Sequence, residues 1–171
     1  RESLGATLDA LFALSSRVPT LFPVHPRTVK RAADLGLADR MRTLSGLTLT
    51  EPVGYADFAT LMASALLVAT DSGGIQEETT ALGIPCLTLR GGTERPITVD
   101  EGTNIVVGLD AAKIAAEVDS IVAGRAKQGR VPEGWDGHAG ERCADAVLQL
   151  LGGEPPPLTA EQMAFAQLTQ G

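Results

Sequence analysis

Short, unbroken apolar runs recur along the chain, each preceded by a stretch of helical periodicity. Leu4, Leu8, Leu11 and Phe12 fall at helical spacing over the first sixteen residues, and Arg17-Val18-Pro19 stops that pattern before the run Thr20 to Val24. The cycle continues with a helix-compatible stretch from Thr28 to Leu37, a strand at Met41 to Leu44, a helix from Tyr55 to Ser64 and a strand from Leu66 to Ala69. Ile75 to Leu82 then predicts a helix, Cys86 to Leu89 and Asn104 to Val107 predict strands, and Asp110 to Val122 predicts an amphipathic helix with Ile114, Val118, Ile121 and Val122 inward. Because the runs are continuous and not alternating, they fit strands covered on both faces, as in a parallel sheet flanked by helices. The expected fold class is a doubly wound α/β domain. A Gly-rich loop from Gly124 to Gly137 holds Trp135, read as a packing anchor, and a helix from about His138 to Leu151 closes the domain at residues 1–151. Residues 152–171 read as a Pro-rich linker, Gly152-Gly153-Glu154-Pro155-Pro156-Pro157, and a helical tail from Thr159 to Thr169.

Composition removes several classes of function. Of 171 residues, 44% are hydrophobic and 20% charged, enough for a sizeable core and too apolar for disorder over most of the chain. Lys and Arg total 14 against 21 Asp and Glu, a net charge of -7, the wrong sign for coating nucleic acid or an anionic membrane. The longest nearly unbroken apolar run, Leu61 to Ala69, is far shorter than the roughly 20 residues of a membrane span, and no export signal opens the chain. A soluble, cytoplasmic protein without nucleic-acid or membrane partners is expected. Cys86 and Cys143 are too few and too scattered for a zinc cluster or a disulfide framework, so both read as buried free thiols, with no metal or cofactor. The chain opens on Arg1 instead of Met, as a segment of something longer does.

The chemistry concentrates where the run Leu66 to Ala69 passes through Thr70-Asp71-Ser72-Gly73-Gly74 into a helix. A strand, a tight turn and a glycine-opened helix gather backbone N–H groups and the positive end of a helix dipole in one spot, which suits a phosphate. Ser72 can cap the helix and offer its hydroxyl to the same anion, and bare Gly73 and Gly74 admit close approach. Glu78 lies one turn beyond Gly74 on the same face, placed to accept hydrogen bonds from ribose hydroxyls, whereas Glu77 is rotated about 100° away. The bland alternative is a capped turn with a solvated first helical turn. The polar loop Arg90-Gly91-Gly92-Thr93-Glu94-Arg95-Pro96 follows the next strand and faces the same crevice, so Arg95 can meet a diphosphate or simply form a surface ion pair. His25, just past a strand, points to the same edge, as a proton-exchanging group or as a structural residue. His138 reads as a cap or surface residue.

The string Thr70-Asp71-Ser72-Gly73-Gly74-Ile75-Gln76-Glu77-Glu78 is followed in order by Leu82-Gly83-Ile84-Pro85-Cys86-Leu87-Thr88-Leu89-Arg90, Thr93-Glu94-Arg95-Pro96 and Glu101-Gly102-Thr103-Asn104. It is preceded by Phe22-Pro23-Val24-His25-Pro26-Arg27 and by Glu51-Pro52 to Phe58. As an ordered set over about residues 1 to 150, these closely resemble the UDP-N-acetylglucosamine 2-epimerase family. The resemblance implies a Rossmann-like domain forming the C-terminal, UDP-binding half of a GT-B-type two-domain enzyme, with Ser72, Gly73 and Gly74 on the diphosphate, Glu78 on the ribose, Arg95 on the phosphate side and Phe58 at the uracil. His25 resembles a position that contacts a second, activating substrate molecule in regulated members, so it is a substrate-cleft or regulatory residue. The implied reaction interconverts UDP-N-acetylglucosamine and UDP-N-acetylmannosamine without hydrolysis, by elimination and re-addition of UDP, and serves cell-envelope polysaccharide synthesis. The implied alternatives are a hydrolysing epimerase, a GT-B glycosyltransferase using a UDP-sugar, and a non-catalytic nucleotide-sugar-binding module. Arg1-Glu2-Ser3-Leu4-Gly5 looks like the end of a family stretch that follows a central strand. On this likeness that strand, an N-terminal domain and the main acid and base groups lie upstream of Arg1. The isolated domain is then expected to be inactive, the strand's neighbours to carry unpaired edges, and the full-length protein to be a homodimer.

Overall fold

The computed structural model describes residues 2–152, so the expected linker and helical tail beyond Gly152 lie outside the described residues. The chain divides into two compact units, residues 1–132 and 133–171. The first unit runs α1 (Glu2–Ser15), β1 (Thr20–Pro23), α2 (Pro26–Asp34), α3 (Ala38–Arg42), β2 (Leu47–Thr50), α4 (Tyr55–Ala63), β3 (Val68–Thr70), α5 (Gly73–Leu82), β4 (Cys86–Thr88), α6 (Pro96–Asp100), β5 (Asn104–Val106) and α7 (Ala111–Val122). Local chemistry sets the helix ends. Asp110 caps α7 by accepting from the amides of Ala112 at 3.0 Å and Lys113 at 3.1 Å. Gly83 closes α5 in the left-handed region, at φ 70°. His25 caps α2 through Nδ1, which accepts from the Arg27 amide at 3.1 Å, and Pro26 fills the first turn, where its missing N–H leaves no bond unmade.

Among the described residues all strand pairing is parallel, as the continuous apolar runs predict, but the sheet comes in two parts, β1-β2 and β3-β4-β5. Among the described residues, β1 bonds only to β2 and β3 only to β4. Between their open edges lies a groove of about 940 Å³, bordered by Leu21 and Phe22 of β1, Val68 and Ala69 of β3, and Leu11 and Leu14 of α1. The split follows from the order of the described strands: none of them falls between β1 and β3.

Each part of the sheet has its own core, and α1 belongs to both. Leu8 and Leu11 pack with Ala32 and Met41 beside β1 and β2, while Ala10, Ala13 and Leu14 pack with Leu87, Val107, Ile114, Val118 and Ile121. Cys86, Leu87 and Thr88 bury β4 completely. Arg17 and Asp119 join the end of α1 to α7 across 3.0 Å.

Three expectations change. Met41 to Leu44 is not a strand: residues 38–42 form α3, and Met41 enters the core at 2% exposure. Ala, Met and Arg favour a helix there, while the alternating Leu47-Thr48-Leu49-Thr50 supplies the strand instead. Val122 is 57% exposed although Ile121 is buried, because it is the last residue of α7 and sits at the rim of the core. The residues Pro96–Asp100 form α6, a single short turn of helix that the apolar pattern did not signal.

In the second unit, α8 (Ala139–Leu151) follows a turn organised by Asp136. Its carboxylate accepts from the His138 amide at 3.0 Å and from Arg142 Nη1 at 2.9 Å, which holds it below the usual carboxylate range. His138 occupies the N-cap without a side-chain capping bond, and its Nδ1 lies 3.2 Å from Glu141 Oε2, the cap-or-surface position expected of it. Trp135 is half-buried.

Both cysteines are free, but only Cys86 is buried; Cys143 is exposed on α8, whose described residues include none that is buried, so no core closes over it. Burial pushes the Cys86 thiol up to about 11, despite a hydrogen bond with Thr79, so its nucleophilic thiolate is scarce. A thiol reagent at mildly alkaline pH is therefore expected to modify one cysteine in the native protein, Cys143, and the second only after unfolding. Equal rates at the two positions would contradict this packing. Among the described residues no helix is long and apolar enough to cross a membrane.

Candidate functional site

β3 delivers the chain into Asp71-Ser72, and α5 begins at Gly73. Ser72 holds an extended backbone at the N-cap; its amide donates to Thr70 Oγ1 at 3.0 Å, and its carbonyl accepts from the Gln76 N–H at 3.2 Å. The Ser72 hydroxyl makes no capping bond, which corrects the expected cap. Ser72 is exposed, where water satisfies a hydroxyl as well as a backbone amide does. Helix geometry leaves the amides of Gly73, Gly74 and Ile75 without intrahelical acceptors, at the positive end of α5. Two of the three carry no side chain to shield them.

Arg95 reaches this turn from the loop after β4. Its Cγ, Nε and Cζ lie 3.6 to 3.9 Å from where a Cβ on Gly73 would stand, so the guanidinium lies beside the bare turn. Its Nε is also 2.8 Å from Glu77 Oε1. Glu77 thus has a partner that helical rotation alone did not reveal. Both side chains are nearly half exposed, at 44% and 40%, so the pair is screened and costs little to open.

Glu78 is half-buried, and its Oε2 is buried without a hydrogen-bond partner. A carboxylate oxygen removed from water and given no donor is costly, and it is an acceptor suited to paired hydroxyls. Phe58 on α4 and His25 after β1 both line the groove beside β3, together with Thr70, Asp71 and Arg90. His25 accepts at Nδ1 in its cap, so the neutral ring carries its proton on Nε2, which makes no hydrogen bond among the described residues. Arg90 pairs with Glu94 at 3.2 Å.

Sequence reasoning missed a buried polar circuit beneath the turn. The face that α5 buries is polar, made of Gln76, Thr79 and Thr80. Gln76 Oε1 accepts from Thr93 Oγ1 and, at 3.3 Å, from Asn104 Nδ2. Thr93 Oγ1 in turn accepts from the Arg95 amide at 2.9 Å. The Arg95 carbonyl accepts from Thr98 Oγ1 at 2.7 Å, and Thr98 Oγ1 accepts from Asn104 Nδ2 at 3.0 Å. Thr88 Oγ1 donates to Asn104 Oδ1 at 2.7 Å. An inward-facing Gln one turn after two glycines was the available signal.

The sequence model of the family described as UDP-N-acetylglucosamine 2-epimerase matches residues 1–148. The chain belongs to this family. It is 43% identical over 122 residues to the UDP-N-acetylglucosamine 2-epimerase of Methanocaldococcus jannaschii, a match covering 71% of this chain and 33% of that protein. Its fold superposes on the solved M. jannaschii UDP-GlcNAc 2-epimerase in complex with UDP-GlcNAc and UDP, with a TM-score of 0.73 and 36% identity over 85% of this chain and 40% of that one. The Rickettsia bellii UDP-N-acetylglucosamine 2-epimerase gives a TM-score of 0.72 at 28% identity, covering 87% of this chain and 42% of that one. The chain therefore spans about two fifths of these 2-epimerases and is a Rossmann-like part of their GT-B architecture.

Proposed function

We propose that residues 1–151 form the UDP-binding half of a non-hydrolysing UDP-N-acetylglucosamine 2-epimerase. The observation that carries this reading is one cluster on α5: unshielded amides at Gly73 and Gly74, Arg95 beside them, and the unpartnered Glu78 oxygen one turn on. An anion and, about one helical turn further along, a pair of hydroxyls are what the diphosphate and ribose of UDP present. In this reading Ser72 adds its uncapped hydroxyl to the phosphates, Phe58 stacks at the base and His25 faces the sugar side. Holding UDP here stabilises it as a leaving group, since backbone amides and a guanidinium favour the charge that grows on the diphosphate as the sugar–oxygen bond breaks. The groups that remove and return the C2 proton belong to an N-terminal domain outside this chain, with UDP-N-acetylmannosamine as the product. A strand of that upstream sequence seated between β1 and β3 would find N–H and C=O groups on both sides. Cytoplasmic location, homodimer formation and a role in cell-envelope polysaccharide synthesis complete the proposal.

Titration calorimetry of the chain with UDP tests it. Binding at or below millimolar concentration is expected, together with no conversion of UDP-N-acetylglucosamine, because proton transfer needs groups in reach of C2. A folded chain that takes up no UDP at millimolar concentration rules the site out.

A further inference from the structure

We propose that Thr93 and Thr98, tied together through Gln76 and Asn104, are positioning residues that fix Arg95 over the Gly73 turn; the proposal rests on the UDP-site reading above. The circuit is closed, and each of its two threonine hydroxyls beside Arg95 donates once and accepts once. The Thr93 hydroxyl donates to Gln76 Oε1 and accepts from the Arg95 N–H, while the Thr98 hydroxyl donates to the Arg95 C=O and accepts from Asn104 Nδ2. Asn104 spends its two N–H protons on Gln76 and Thr98 and its oxygen on Thr88. Arg95 is thus gripped on both sides of its Cα, at its own N–H and its own C=O, although its side chain is exposed.

The grip is anchored in the most buried part of the fold. Gln76 is 1% exposed, and Thr98, Asn104 and Thr88 are 0% exposed. Gln76 stands on the helix that opens with Gly73, so a single side chain refers the Arg95 loop to the amides that Arg95 must work beside. Arg95 itself has non-regular backbone angles, φ -121° and ψ 63°, at the start of α6, a five-residue helix that supplies little rigidity of its own. An exposed arginine on a free loop loses side-chain and backbone freedom on meeting an anion; one whose backbone is already held loses less. The circuit therefore acts on ligand affinity through Arg95.

The test is a cycle of variants read by UDP calorimetry on the full chain, with thermal unfolding followed alongside. Thr93→Val keeps the shape and removes the hydroxyl, and is expected to weaken UDP binding about fivefold. Thr93→Ser is expected to bind within about twofold of the parent. In an Arg95→Met background, Thr93→Val is expected to cost nothing further, because the residue it positions is gone. Thr98→Val, acting on the Arg95 carbonyl on the other side of its Cα, repeats the measurement should Thr93→Val fold poorly. Unchanged UDP affinity in both valine variants overturns the proposal. So does an equal loss in the Arg95→Met background, which would mark a general structural role, and so does an Arg95→Met variant that binds UDP as well as the parent. A parent chain that binds no UDP overturns the functional reading itself, a result distinct from these three.

Discussion

Glu78→Gln is expected to lower UDP affinity by about tenfold or more, since hydrogen bonds to a charged group contribute about 1.5–3 kcal/mol each. The same substitution is expected to leave the unliganded protein more stable. Glu78 Oε2 is buried without a donor, and a neutral amide costs less to withdraw from water than a carboxylate does. The two effects have opposite signs because an acceptor held ready for a ligand is an unmade bond without one. Calorimetry with UDP and thermal unfolding without it report them separately. A variant that keeps its affinity removes Glu78 from the ribose site, and one that loses both affinity and stability points to a structural carboxylate.

Gly102→Ala is expected to cost the fold a large part of its stability. A Cβ at this position would stand 2.5 Å from Thr80 Oγ1, 2.6 Å from Thr80 Cγ2 and 2.6 Å from the Thr98 carbonyl oxygen. Overpacking typically costs about 1–3 kcal/mol, and a clash with backbone belongs at the upper end. For a chain of this size about 3 kcal/mol lowers the melting temperature by roughly 6–12 °C. Thr80→Ala added to Gly102→Ala is expected to recover part of the loss, as it clears the two side-chain contacts and discards a hydroxyl already without a partner. A melting temperature within about 2 °C of the parent would show that the segment between α6 and β5 yields more easily than close packing allows.

Continuous apolar runs made the parallel α/β architecture legible, because a strand covered on both faces has no polar side to show. Ser72, Gly73 and Gly74 were legible for a related reason: a turn that opens a helix with two glycines has few uses other than close approach. What stayed hidden was everything settled by pairs distant in sequence. The bond from Asn104 to Gln76 spans 28 residues, and that from Thr93 to Gln76 spans 17. Glu77 looked idle because helical geometry says where a side chain points, not what the next loop brings to it. The strand expected at Met41 failed on the ambiguity of a short segment, where Met and Leu serve helix and strand alike, and packing of Met41 with Leu8 and Leu11 favours the helix alongside its own Ala and Arg.

The sharing of α1 between two cores also determines how this chain holds together. In an uninterrupted sheet, neighbouring strands feel one another through a ladder of backbone bonds. Here that ladder stops at β1 and resumes at β3, and the mechanical link passes sideways, from Leu8 and Leu11 on one flank of α1 to Ala10, Ala13 and Leu14 on the other. The helix works as an axle, and unwinding it releases both wheels. Amide exchange should therefore show the two half-sheets losing protection with α1 as a single event, a cooperativity carried by side chains where backbone bonding is absent.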